Sequence, residues 1–248
     1  MDNDKEVGIP TEGSQDRPEG ASAGSQAREF MRKMPVTATL LAMNVAAFVL
    51  SMLVPAVGTY GMLWPEAVLS GGAWWMLLTS MFLHGGIMHL ACNMLSLVWL
   101  GPESEQRNGH LKFLILYLLG GIGGGLAHIA WEMHAGTGVP ALGASGAIFA
   151  LLGNYGYALL TVRKRVGAGK SPVLDRAWSS FAACLAINVV IGFSDPEIAM
   201  AAHVGGFVAG VLLALAFGAF GRNLRLIEGG KGVPDESVTP KPDGESES

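Results

Sequence analysis

The chain has 248 residues, 50% of them hydrophobic and only 15% charged, with 16 Lys and Arg against 20 Asp and Glu for a net charge of −4. The charges crowd the ends: residues 1–34 hold 12 and residues 222–248 hold 10, leaving 14 for the 187 residues between them. A soluble protein is about one quarter charged, so the middle reads as a membrane domain. That composition excludes a soluble two-domain enzyme, a nucleic-acid binder, whose Lys and Arg would cluster on one surface, and a disulfide scaffold, since Cys92 and Cys184 both lie in apolar runs.

Taken in chain order, residues 1–34 are rich in Gly, Ser, Pro and acidic side chains and are expected to form a disordered tail, because they carry too little apolar surface to offset the entropy of ordering. The first apolar run begins near residue 35 and continues as a span, so it is not read as a cleavable signal, and Asp2, Asp4 and Glu6 argue against a mitochondrial transit peptide. A helix that crosses the hydrocarbon needs about 20 mainly apolar residues. Six stretches meet this, at roughly 36–55, 85–101, 113–131, 143–162, 177–194 and 198–221. The charge-free run from Ala67 to Pro102 extends well ahead of the second, and its first part, with Trp74 and Trp75, is expected to be an interfacial loop rather than a seventh span. Residues 222–248 form a second expected disordered tail, which leaves residues 35–221 as a six-span helical core.

The basic residues test that count. Five lie in the N-terminal tail, Arg107 and Lys112 in the second connection, five from Arg163 to Arg176 in the fourth, and four in the C-terminal tail; the alternate connections hold none. All 16 therefore fall on one side, which places both termini in the cytoplasm by the positive-inside rule.

Polar groups inside the spans then stand out by their cost. His89 and Asn93 are four residues apart on one face of the second span, with His84 near its start. The fourth span opens Gly143-Ala144-Ser145-Gly146 and continues to Phe149, and the sixth carries His203 with Gly206 and Gly210 on the same face. Spans two, four and six all begin on the outer side, so at 1.5 Å per residue His89, Ser145 and His203 share one layer, down to about 7 Å below the surface. The glycines allow spans four and six to pack closely. A serine hydroxyl needs a base to become a nucleophile, and the oxyanion it creates needs donors. Ser145 and His203 can fill the first two roles, and Asn93, His89 and the Ser145 N–H at a helix start the third.

These residues resemble the rhomboid family of intramembrane serine proteases across about residues 36–220. The resemblance rests on Gly143-Ala144-Ser145-Gly146, on His203 with Gly206 and Gly210, and on His84, His89 and Asn93; Glu105, Gly120 and Gly121 and the stretch that starts at Trp74 fit the family pattern as well. It implies Ser145 as nucleophile, His203 as base in a two-residue dyad, His89 and Asn93 around the oxyanion, and Gly143, Phe149 and Gly206 as supports. Two positions depart from it: Met76 stands where many members have arginine, and Phe149 where some have tyrosine. The implied activity is cleavage of single-pass transmembrane proteins near the outer membrane face, with transmembrane substrates and the lipid bilayer as partners, no nucleic acid, no cofactor and no metal. The alternative is a non-proteolytic rhomboid-like protein that binds transmembrane helices. A transporter would need polar groups near the midplane and internal repeats, and the sequence suggests neither. The expected location is a bacterial plasma membrane.

Overall fold

A computed structural model describes residues 23–194 and 199–218, with residues 189–194 described through their backbone. Among the described residues the structure is all-α, with ten helices: α1 (Ala23–Lys33), α2 (Pro35–Leu53), α3 (Pro55–Gly61), α4 (Pro65–Leu69), α5 (Met76–Thr79), α6 (Ile87–Asn108), α7 (His110–Ala135), α8 (Ser145–Val166), α9 (Pro172–Ser194) and α10 (Met200–Ala216). Each of the six stretches expected to span overlaps one of α2, α6, α7, α8, α9 and α10, and all but α10 run past the expected bounds at one end or both. Among the described residues three of these, α2, α7 and α8, are by length and apolarity able to cross a membrane, or four if α6 counts together with the helical run Met76–Phe82, which meets it at 93°. Two of the other helices show why they do not count singly. α10 has 17 residues, and α6 ends in Glu103, Glu105 and Arg107.

Within the stretch read as an N-terminal tail, Ala23–Lys33 is helical, and an exposed i,i+4 pair between Lys33 and Glu29 at 2.7 Å helps to hold it. The Lys33 ammonium also keeps the Glu29 carboxyl below its usual range. The remainder of that tail, residues 1–22, and the expected C-terminal tail lie outside the described residues. Proline at the first position starts α2, α3 and α4, where its missing N–H costs no helical bond.

The loop expected after the first span is a set of short helices with its own small core. Leu63, Val68, Ala73, Met76 and Leu77 bury themselves against Ile129 of α7, while Trp74 and Trp75 stay more than half exposed. Met76 is thus an apolar anchor of this loop.

The centre of the molecule is a three-helix contact between α7, α8 and α10, made almost entirely through small residues. A methyl group on Gly206 would sit 2.1 Å from the Gly146 carbonyl oxygen, one on Gly210 2.0 Å from that of Ala150, and one on Gly153 2.2 Å from that of Phe207. On the α7 side, Gly120 faces the Ala150 methyl and Gly124 the Ala202 carbonyl, at 2.1 and 2.7 Å by the same construction. The three backbones therefore approach with nothing larger than a methyl between them at these points, as membrane helices do when small residues line the interface. Around this seam, Leu97 of α6, Phe113, Leu116 and Tyr117 of α7, and Ala147 and Leu151 of α8 are fully buried.

At the end of α6 remote from Ser145, Glu105 is buried and fixes α2: it accepts from the Val36 and Thr37 N–H groups at 3.0 and 2.8 Å and from the Thr37 hydroxyl at 2.6 Å. The carboxylate so caps the free N–H groups of the first turn of α2.

Gly210→Ala is expected to lower stability by about 1–3 kcal/mol, because the added methyl meets rigid backbone. Gly58→Ala, where a methyl meets no atom within 4 Å, serves as the control. Thermal unfolding in detergent checks this, with a lower midpoint for the first variant and none for the second.

Candidate active site

The glycine seam places the residues singled out in the sequence. Ser145 is the first residue of α8 and His203 lies in the first turn of α10. With Gly206 set against the Gly146 carbonyl, Ser145 and His203 come level, and His203 Nε2 lies 2.9 Å from Ser145 Oγ. The hydroxyl donates to this nitrogen when the ring is neutral with its proton on Nδ1. His203 is 9% exposed, and the Phe149 ring one turn below Ser145 lies flat on the imidazole, with centroids 4.3 Å apart and planes inclined by 9°. The phenylalanine keeps the stacking surface that a tyrosine would offer. Among the described residues nothing bonds His203 Nδ1, and the contacts that orient the ring are its stack and Ser145.

Gly143 holds the turn into α8. Its φ of 123° suits glycine alone, and its N–H donates to the Ser80 carbonyl at 2.9 Å. It also leaves no room for a side chain: a methyl there would lie 2.8 Å from His89 Nε2 and 3.7 Å from Asn93 Nδ2. Both residues of α6 so face the turn that precedes Ser145. The Asn93 amide donates to the His89 carbonyl at 3.1 Å, which orients it along α6. His84 is buried, meets the His89 ring edge-on at 5.1 Å, and has both ring nitrogens without a partner among the described residues. The Ser145, Gly146 and Ala147 N–H groups open α8 and have no carbonyl four residues back within the helix to bond. The site therefore combines a hydroxyl paired with an imidazole, two α6 side chains able to donate, and a helix start whose N–H groups and dipole favour negative charge. Among the described residues no three of His, Cys, Asp and Glu converge as metal ligands would.

Two buried polar groups escape the sequence reading. Arg107, read there as a topology residue, is 7% exposed; it donates to Glu103 at 2.6 Å and to Asn154, a fully buried residue of α8, and its guanidinium lies 5.4 Å from the centre of the Tyr155 ring. A polar cluster thus exists well away from the Ser145 layer. The other is the pair His128 and Glu132 near the end of α7, buried to 3% and 7% exposure beside the chain that leads into α8. Their four-residue spacing was the available signal; their partners lie in a loop with no pattern of its own.

Comparison with known proteins gives a consistent result. A family model for the Rhomboid domain matches residues 71–220. The rhomboid protease GluP of Bacillus subtilis is 36% identical over 164 residues, covering 64% of this chain and 30% of GluP. RHOMBOID-like protein 1 of Arabidopsis thaliana is 38% identical over 143 residues, covering 58% of this chain and 34% of that protein. YdcA of B. subtilis is 31% identical over 191 residues, covering 75% of this chain and 89% of YdcA. The chain thus spans about a third of the length of the first two and nearly all of the third. It belongs to the rhomboid family, and with its long apolar helices it is an integral membrane protein.

Gly143→Ala is expected to destabilise by about 1–3 kcal/mol through its backbone conformation, with a further loss from the His89 ring. Combining it with His89→Ala should cost less than the sum of the two single changes. Thermal midpoints of the three variants check this; strict additivity would mean that the ring and the turn are not in contact.

Proposed function

We propose that the protein is an intramembrane serine endopeptidase that cleaves single-pass transmembrane proteins. It is built as a six-span bundle in a bacterial plasma membrane, with both termini in the cytoplasm and the Ser145 layer just below the outer face. The observation that carries the reading is the 2.9 Å contact between Ser145 Oγ and His203 Nε2, made by two helices pressed together through glycine.

In this mechanism a substrate helix approaches sideways from the lipid and unwinds locally, because a helical carbonyl is hidden from attack. His203 Nε2 takes the Ser145 proton as Oγ bonds to the scissile carbonyl carbon. The resulting oxyanion is stabilised by Asn93, His89 and the N–H groups that open α8. His203 then passes its proton to the leaving amine, and the C–N bond breaks. Water next attacks the acyl-enzyme with the same imidazole as base, releasing the new carboxylate and restoring the hydroxyl. Phe149 keeps the ring plane fixed through both proton transfers. Gly143 and Gly206 keep α6 and α10 at contact distance.

Ser145→Ala and His203→Ala are each expected to abolish cleavage of a reconstituted transmembrane substrate while the thermal midpoint stays near that of the parent. Asn93→Ala should slow turnover by about a hundredfold, as loss of one oxyanion donor does elsewhere. Full activity in either of the first two variants would refute the assignment of Ser145 and His203 as nucleophile and base. The rhomboid-like binding protein makes the opposite forecast for the parent itself: no cleavage, and a Ser145 that a fluorophosphonate leaves unlabelled.

A further inference from the structure

Residues 137–142 link the end of α7 to Gly143 and so to Ser145, and three separate sets of bonds pin them down. Gly143 is held by the Ser80 carbonyl, as described. Ala141 and Leu63 exchange two backbone bonds, at 2.8 and 2.9 Å. The third set comes from α7 itself. One oxygen of Glu132 accepts from the Thr137 hydroxyl and, at 2.9 Å, from the Val139 N–H, while His128 Nε2 donates to the Val139 carbonyl at 2.9 Å. Val139, otherwise an exposed loop residue, therefore has both its backbone groups bonded by side chains of one helix.

A carboxylate and an imidazole buried near the end of a membrane helix are costly, and this pair spends its bonding capacity on the strap rather than on its own helix. α7 is also the helix whose Gly120 and Gly124 set the position of α8. One helix thus fixes both the body of α8 and the chain that enters it. We propose that Glu132 and His128 are positioning residues that clamp the strap 137–142 to α7 and thereby hold the Gly143 turn and the Ser145 hydroxyl in register with His203. The proposal rests on the reading of Ser145 as nucleophile.

The test uses the full chain in detergent, with Glu132→Ala, Glu132→Gln and Thr137→Val. Two quantities are followed: hydrogen exchange of the peptide that covers 137–142, and the rate at which a fluorophosphonate modifies Ser145. Glu132→Ala should speed strap exchange and slow Ser145 modification, each by about tenfold, the effect of losing bonds to a charged acceptor. Glu132→Gln keeps an acceptor oxygen and should restore both to within about twofold. Thr137→Val, a change at an exposed residue that removes one bond, should move both in the same direction by about threefold, and it answers the question even if the alanine variant does not fold. Faster exchange with an unchanged Ser145 rate, or a glutamine variant that behaves as alanine does, would overturn the clamp. An unmodified parent would overturn the nucleophile reading and the proposal with it, whereas unaltered exchange in all variants would overturn the clamp alone.

Discussion

The contact on which the rest of the structure depends is the approach of α8 to α10 at backbone distance. Lipid gives no hydrophobic drive for one apolar helix to join another, so association rests on close packing. Gly206 against Gly146 and Gly210 against Ala150 supply it. Their effect on chemistry follows directly. A serine and a histidine have short side chains, and a 2.9 Å contact between them across two helices is reached only if nothing larger than hydrogen separates the backbones. The seam is therefore a requirement of the site as well as of the fold.

Around that seam, each neighbouring element contributes one constraint. α7 closes the third side with Gly120 and Gly124, α6 brings His89 and Asn93 up to the Gly143 turn, and the segment between α3 and α6 supplies Leu63 and Ser80 as anchors for the strap. Phe149 stacks flat on the His203 ring, and among the described residues no polar group bonds its Nδ1. Such an arrangement suits a low-dielectric setting, where an additional buried carboxylate would itself need partners.

The legible part of this structure was the part encoded by local spacing. Ser145 at a helix start, His203 with glycines at three and seven residues, and His89 with Asn93 at four each define a helix face, and a face is enough to predict which residues meet. The long apolar runs located α2 and α6 to α10 for the same reason. What stayed hidden depends on partners distant in sequence. Arg107 looks like any basic residue of a connection until Asn154, 47 residues on, accepts from it. Glu132 and His128 gain meaning only from a loop without periodicity. The division of residues 55–82 into several short helices, and the folding of Ala23–Lys33, reflect proline starts and one surface ion pair too brief to register against the surrounding composition.

The central claim is that a hydroxyl and an imidazole on two different helices act as one chemical unit. Its most direct measurement is the intact mass, with peptide-level localisation, of the detergent-solubilised chain after exposure to a fluorophosphonate, beside His203→Ala treated identically. The account predicts a single phosphonyl adduct on Ser145 of the parent and almost none on the variant. Equal modification of both, or an adduct on some other serine, would contradict it.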